Sequence, residues 1–95
     1  MRPLAGIRVL DFSTLLPGPL ASLILAEAGA EVIKIERPGA GDELRGYQPR
    51  FGASGAGFAL LNRGKRSIAL DLKTQGAKER LMPLLRTADV LIEQF

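Results

Sequence analysis

Ninety-five residues, 46% hydrophobic and 24% charged, fit one small globular domain with little surplus core. The chain has no cysteine and no histidine, which excludes disulfides, thiolate zinc sites, cysteine nucleophiles and any histidine-based triad or metal cluster. The net charge of +3 is slight, but residues 37–66 hold six cations against two anions, so a local excess of +4 stands against −1 in the remainder.

The N-terminal "MRPLAGIRVLDF" has no long apolar segment ahead of a small-residue cleavage site, and so does not read as a secretion signal. The uncharged run at 12–26 is broken by two prolines and a glycine. It falls short of the roughly 20 apolar residues that span a bilayer. Together with the lack of cysteine, this predicts a cytoplasmic protein without a membrane partner.

Residues 6–12, "GIRVLDF", predict a first strand. "PGPLASLILAEAG" at 17–29 predicts a helix, with Pro19 suited to a first helical position and Gly29 to a left-handed stop. Its apolar residues lie nearly all round, which predicts a buried helix. "AEVIKIE" at 30–36 predicts a second strand, completing a βαβ unit with parallel strands. A glycine-rich stretch at 37–57 predicts a long loop, and a loop of that length inside a compact domain suggests function.

"FALLN" adds one helical turn, "RSIALDL" at 66–72 a third strand, and "DVLIEQF" at 89–95 a fourth. Between them residues 74–88 predict a second main helix, in which Pro83 removes one backbone hydrogen bond. "VLDF" at 9–12 echoes "ALDL" at 69–72, and "AEVI" at 30–33 echoes "ADVL" at 88–91. The predicted class is therefore α/β: a Rossmann-like open parallel sheet of two βαβ units, with four strands and two main helices, forming the incomplete half of a larger domain.

Open α/β sheets bind ligands at the carboxyl ends of their strands. The segments after strands one, two and four are expected there, and so is the basic "NRGKR" that leads into strand three. Gly18, at the start of the first helix, offers a free backbone N–H to an anion, or simply serves a tight connection. Arg37, directly after strand two, suits a phosphate or the face of an adenine. Arg63, Lys65 and Arg66 form either a solvated turn or an anion cradle, and an edge shared with Arg37 favours the cradle.

The glycine fingerprint of a dinucleotide fold is missing after strand one, and "NRGKRS" lacks the leading glycine of a Walker A loop. The cations do not share a helix face, which argues against nucleic acid as a partner. Asp11, Glu36, Asp42, Glu43 and Asp71 are candidates for acid–base work. Asp11 and Asp71 occupy equivalent places in the two half-repeats, which predicts a capping or turn role for both. The residues by themselves point to an anion-binding half of an α/β fold for a nucleotide-like ligand, and a stand-alone binding or assembly module without catalysis stays open.

"LAGIRVLDFS", "PGPLASLILAEAGAEVIKIERPGAGDELRG", "NRGKRSIALDLKTQGAKERL" and "ADVLIEQF", in this order and spacing, resemble the N-terminal region of the class III (family III) coenzyme A transferases. That family also includes the α-methylacyl-CoA racemases. The resemblance implies that residues 1–95 are the N-terminal CoA-binding part of a Rossmann-like transferase domain. It implies a coenzyme A or acyl-CoA substrate, no prosthetic group, and a homodimer of interlocked chains. It further implies that Arg37 lies against the adenine, that the Lys65–Arg66 stretch meets the phosphates, and that Leu15 and Leu16 line the thioester end. Gln94 stands where the family usually carries asparagine, and Pro17 where its transferases usually carry alanine. In such transferases an aspartate, well beyond residue 95, forms an acyl anhydride and then a CoA thioester. A racemase would instead exchange the α-proton through a His and an Asp that also lie outside this stretch. The 95 residues alone are expected to recognise CoA and to lack the catalytic group.

Overall fold

The structure is a computed structural model that describes residues 2–51 and 54–94. In chain order the elements are β1 (Arg8–Asp11), α1 (Pro17–Glu27), β2 (Glu31–Glu36), a 3₁₀ turn (Glu43–Gly46), β3 (Arg50–Phe51), β4 (Ser54–Gly55), α2 (Ala56–Leu61), β5 (Arg66–Ala69), α3 (Ala77–Thr87) and β6 (Val90–Ile92). The main sheet runs β5-β2-β1-β6 with every pairing parallel. Counted within that sheet, the order is third, second, first, fourth. The strand order therefore reverses between β1 and β6, the place where open α/β sheets leave a crevice.

The period-two alternation of β1 and β2 divides the core. Leu10, Ile33 and Ile35 point to one face and pack with Leu70 and with Ala77 and Leu81 of α3. Val9 and Val32 point to the other and meet Ala30, Leu25 and Ala26. With α1 and α3 on opposite faces, the α/β class and the doubly wound arrangement expected from the sequence are present.

Three expectations change. The helix α1 was expected to be buried all round, but only Pro19, Ser22 and Leu23 are buried, while Leu16, Leu20 and Ile24 are 56%, 43% and 61% exposed. Spaced four apart, these three form a stripe away from the sheet, because a helix lying on a sheet covers only its inner side. The stretch at 37–57 is not a plain loop: it contains the 3₁₀ turn, the β3–β4 hairpin and the start of α2. Strands three and four are shorter than expected, ending at Ala69 and Ile92. Phe95, placed in the fourth strand from sequence, lies outside the described residues, as do Gly52 and Ala53 of the loop. Among the described residues, no helix is long and apolar enough to cross a membrane.

Candidate functional site

Toward their carboxyl ends, β1 and β2 replace the apolar residues on the α1 face with ionisable ones. Val9 is followed two residues later by Asp11, and Val32 by Lys34 and then Glu36, with Asp11 and Lys34 opposite one another in register. All three are buried. Charges inside a fold need partners, and here each has them. Asp11 accepts from the N–H of Ser13 at 2.8 Å and from the hydroxyls of Ser13 and Ser22, and it lies 3.7 Å from the Lys65 ammonium. Lys34 pairs with Asp42 at 2.9 Å and donates to the Ser13 carbonyl at 2.9 Å. Glu36 accepts two hydrogen bonds from Arg45, both 2.7 Å, one from the Asp42 N–H at 2.8 Å, and one from the Ser67 hydroxyl. Arg45 also lies 3.9 Å above the centre of the Phe58 ring.

These partners set the proton affinities. Burial alone would raise the Glu36 carboxyl, but donation from Arg45, Ser67 and the Asp42 N–H outweighs it and holds the group at about 2. Glu36 in turn raises the Arg45 guanidinium. Burial lowers the Lys65 ammonium to about 8; Asp11 opposes that shift and Lys34 adds to it.

Above this network, a mostly apolar cleft of about 220 Å³ opens at the carboxyl ends of β1, β2 and β5. Phe12 and Thr14 come after β1, Arg37 after β2, and Leu70, Asp71, Leu72 and Lys73 after β5; Asp42 and Glu43 complete the wall. Of the segment 70–73 only Asp71 was singled out from sequence, for acid–base or turn work and not as part of a ligand cleft. Residues 70–72 were read as the end of the third strand, which in the structure stops at Ala69 and leaves them at its carboxyl edge. In a parallel sheet, the residues after a strand and the residues before it lie at opposite edges.

That same rule separates the expected site residues. Arg66 pairs in register with Ile33, well before the end of β2, is 78% exposed, and approaches Glu31 at 3.8 Å. Arg63 pairs at 2.8 Å with Glu27, in the last turn of α1. Both lie toward the edge where β1 and β2 begin, so they do not share an edge with Arg37 as expected. Lys65 turns inward: its side chain is 2% exposed, and its ammonium donates to the Pro19 carbonyl at 2.9 Å and to Asn62 at 2.8 Å. Arg37 does face the cleft, with its Nε donating to the Gly41 carbonyl at 2.9 Å.

Leu15 and Leu16 occupy the β1–α1 connection, directly after the cleft residue Thr14, and Gly18 lies in the first turn of α1. The Gln94 side-chain oxygen accepts from the Gly18 N–H at 3.0 Å, and its amide nitrogen donates to the Thr14 carbonyl at 2.8 Å. It thus straps the end of β6 to the start of α1, across the switch in strand order. The turn role expected of Asp11 and Asp71 is present in both half-repeats. Each carboxylate accepts the N–H two residues on, from Ser13 at 2.8 Å and from Lys73 at 2.9 Å.

Comparison with known proteins matches this architecture throughout. The chain is 46% identical over 100 residues to a succinate–glutarate CoA-transferase of Agrobacterium fabrum, covering 98% of this chain and 25% of that protein. It is 48% identical over 95 residues to a formyl-CoA:oxalate CoA-transferase of Rhodopseudomonas palustris, covering 99% and 22%. The crystal structure of a hypothetical protein from Mycobacterium tuberculosis superposes with a TM-score of 0.89 at 44% identity, over 100% of this chain and 26% of that one. A CAIB/BAIF family protein from Brucella suis gives 0.89 at 40% identity, over 98% and 26%. The chain thus spans about a quarter of the length of these relatives. The model of CoA-transferase family III matches residues 4–95, and the chain belongs to that family.

Proposed function

We propose that this chain is the CoA-recognising part of an enzyme that moves CoA between carboxylic acids. The observation that carries the reading is the cleft at the carboxyl ends of β1, β2 and β5, with Arg37 and the 70–73 segment around a space of mostly apolar character. A purine fits between apolar walls with a guanidinium on its face. Arg37 takes the adenine, Lys73 lies within reach of its phosphates, and the pantetheine arm runs toward Leu15, Leu16 and the first turn of α1. Lys65 acts from below, holding the Pro19 carbonyl and so the start of that helix. Arg63 and Arg66, at the other edge, are left to surface ion pairs.

The acids Asp11, Glu36 and Asp42 are engaged by cations and hydroxyls, which suits them to hold the site rather than to form an acyl intermediate. None of them therefore suits the role of the reacting carboxylate in the transferase reading. The names of the relatives, which include transferases of formyl-CoA with oxalate and of succinate with glutarate, favour transfer over racemisation. A cytoplasmic homodimer is the setting in which we place the whole protein.

Calorimetric titration with CoA tests the reading. Native chain is expected to release heat at micromolar to millimolar CoA, and Arg37→Ala to bind about tenfold more weakly, the loss of one desolvated cation–π contact. Arg66→Ala is expected to bind as the native chain does. No heat with folded native chain at millimolar CoA would sink the proposal.

A further inference from the structure

Leu15 has a φ of +66°, a left-handed conformation that a residue with a side chain keeps only where its surroundings hold it. Two buried groups hold it here. The Leu15 N–H faces both carboxylate oxygens of Asp42, at 3.2 and 3.3 Å. Lys34, paired to Asp42, grips the same turn from the Ser13 carbonyl. Asp42 itself belongs to the loop that begins with Arg37: its N–H donates to Glu36, and its carboxylate also takes the Leu44 N–H at 2.9 Å. One side chain thus joins the two loops that flank the cleft, and both Asp42 and Thr14 line it.

We infer that Asp42 is a positioning residue that couples the nucleotide end of the ligand, seated beside Arg37, to the turn at residues 13–16 that meets the rest of the ligand. The inference rests on the proposed function. Coupling of this kind is set by a rigid link with a definite geometry, and a buried carboxylate bonded to three backbone N–H groups or cations is such a link. A merely structural Asp42 would act differently: its loss would weaken every part of the ligand equally.

Two ligands separate these outcomes, CoA and 3′-phospho-ADP, the nucleotide moiety of CoA. Asp42→Leu is combined with Lys34→Met so that no unpaired charge stays buried. Native chain is expected to bind CoA about tenfold more tightly than 3′-phospho-ADP. Whatever 3′-phospho-ADP affinity it loses through the place of Asp42 in the cleft wall, the double variant should lose several-fold more CoA affinity, and with it most of the CoA advantage. Asp42→Asn with Lys34→Met, which retains an acceptor for the Leu15 N–H, should recover that advantage. Equal weakening of both ligands, or an unchanged ratio, would overturn the inference while leaving the proposed function standing. Failure of native chain to bind either ligand would overturn both. A measurement on native chain needs no variant to fold: saturating 3′-phospho-ADP should shift the amide resonance of Leu15, and binding without that shift would refute the coupling.

Discussion

A Cβ on Gly18 would fall 2.1 Å from the Ser13 Cβ and 2.6 Å from the Gln94 side-chain oxygen. Ser13 has no room to retreat, because its N–H and hydroxyl are both fixed on Asp11. Gly18→Ala is therefore expected to lower the free energy of unfolding by roughly 1–3 kcal/mol, as overpacking of a fixed site does. Gly46→Ala, with nothing within 4 Å of the added carbon, should leave the stability in urea within about 0.5 kcal/mol of native. Equal midpoints for the two variants would show that the turn gives way. At this scale the sequence was legible where a side chain acts locally. Asp11 and Asp71 were expected to form turns, and they do. Lys34 was not singled out, because a lysine in a strand ordinarily lies at the surface. Its burial depends on Asp42, which returns from a loop beyond β2, and no local pattern announces that.

The elements of the βαβ units were readable for the same reason that loop 37–57 was not. β1, β2, α1 and α3 carry periodic apolar residues, whereas β3 and β4 have two residues each and no period to read. What fixes that region is tertiary: a Cβ on Gly55 would meet the carbonyls of Leu44, Arg45 and Tyr47 at 2.7, 2.9 and 3.0 Å. The third strand was found, but its basic approach was assigned to the wrong edge, which moved Arg63 and Arg66 onto the site and left Leu72 and Lys73 off it. Within α3, Pro83 is exposed and interior, and it cannot donate to the Glu79 carbonyl one turn back. Pro83→Ala restores that bond, and stability in urea should rise by about 1–3 kcal/mol. A fall instead would mean that the fixed ring geometry in the unfolded chain contributes more than the missing bond costs.

Across the whole molecule, the distinctive feature is a sheet whose interior changes from apolar to charged along its strands. Asp11, Glu36 and Asp42 oppose Lys34, Lys65 and Arg45, so the buried network is neutral as a unit and its stability depends on pH at both ends. Glu36 sits at about 2 in the fold and near 4.5 when unfolded. Its contribution, on the order of 3 kcal/mol, is complete above the unfolded value and is lost as the pH falls through the folded one. Lys65 has the opposite arrangement among cations, with about 8 in the fold and 10.5 unfolded. Between those values the unfolded chain binds more protons, so Lys65 makes stability rise with pH there, and below them its charged form is a standing cost of burial. Urea unfolding across this range, compared with Glu36→Gln and Lys65→Met, separates the two limbs. The advantage of native chain over Glu36→Gln should collapse below pH 4.5. The difference between native chain and Lys65→Met should grow in favour of native from pH 8 to 10.5. A difference that shrinks over that alkaline interval would mean that the bonds to Pro19 and Asn62 need the charged ammonium, and that Lys65 holds the start of α1 as an ion rather than as an amine.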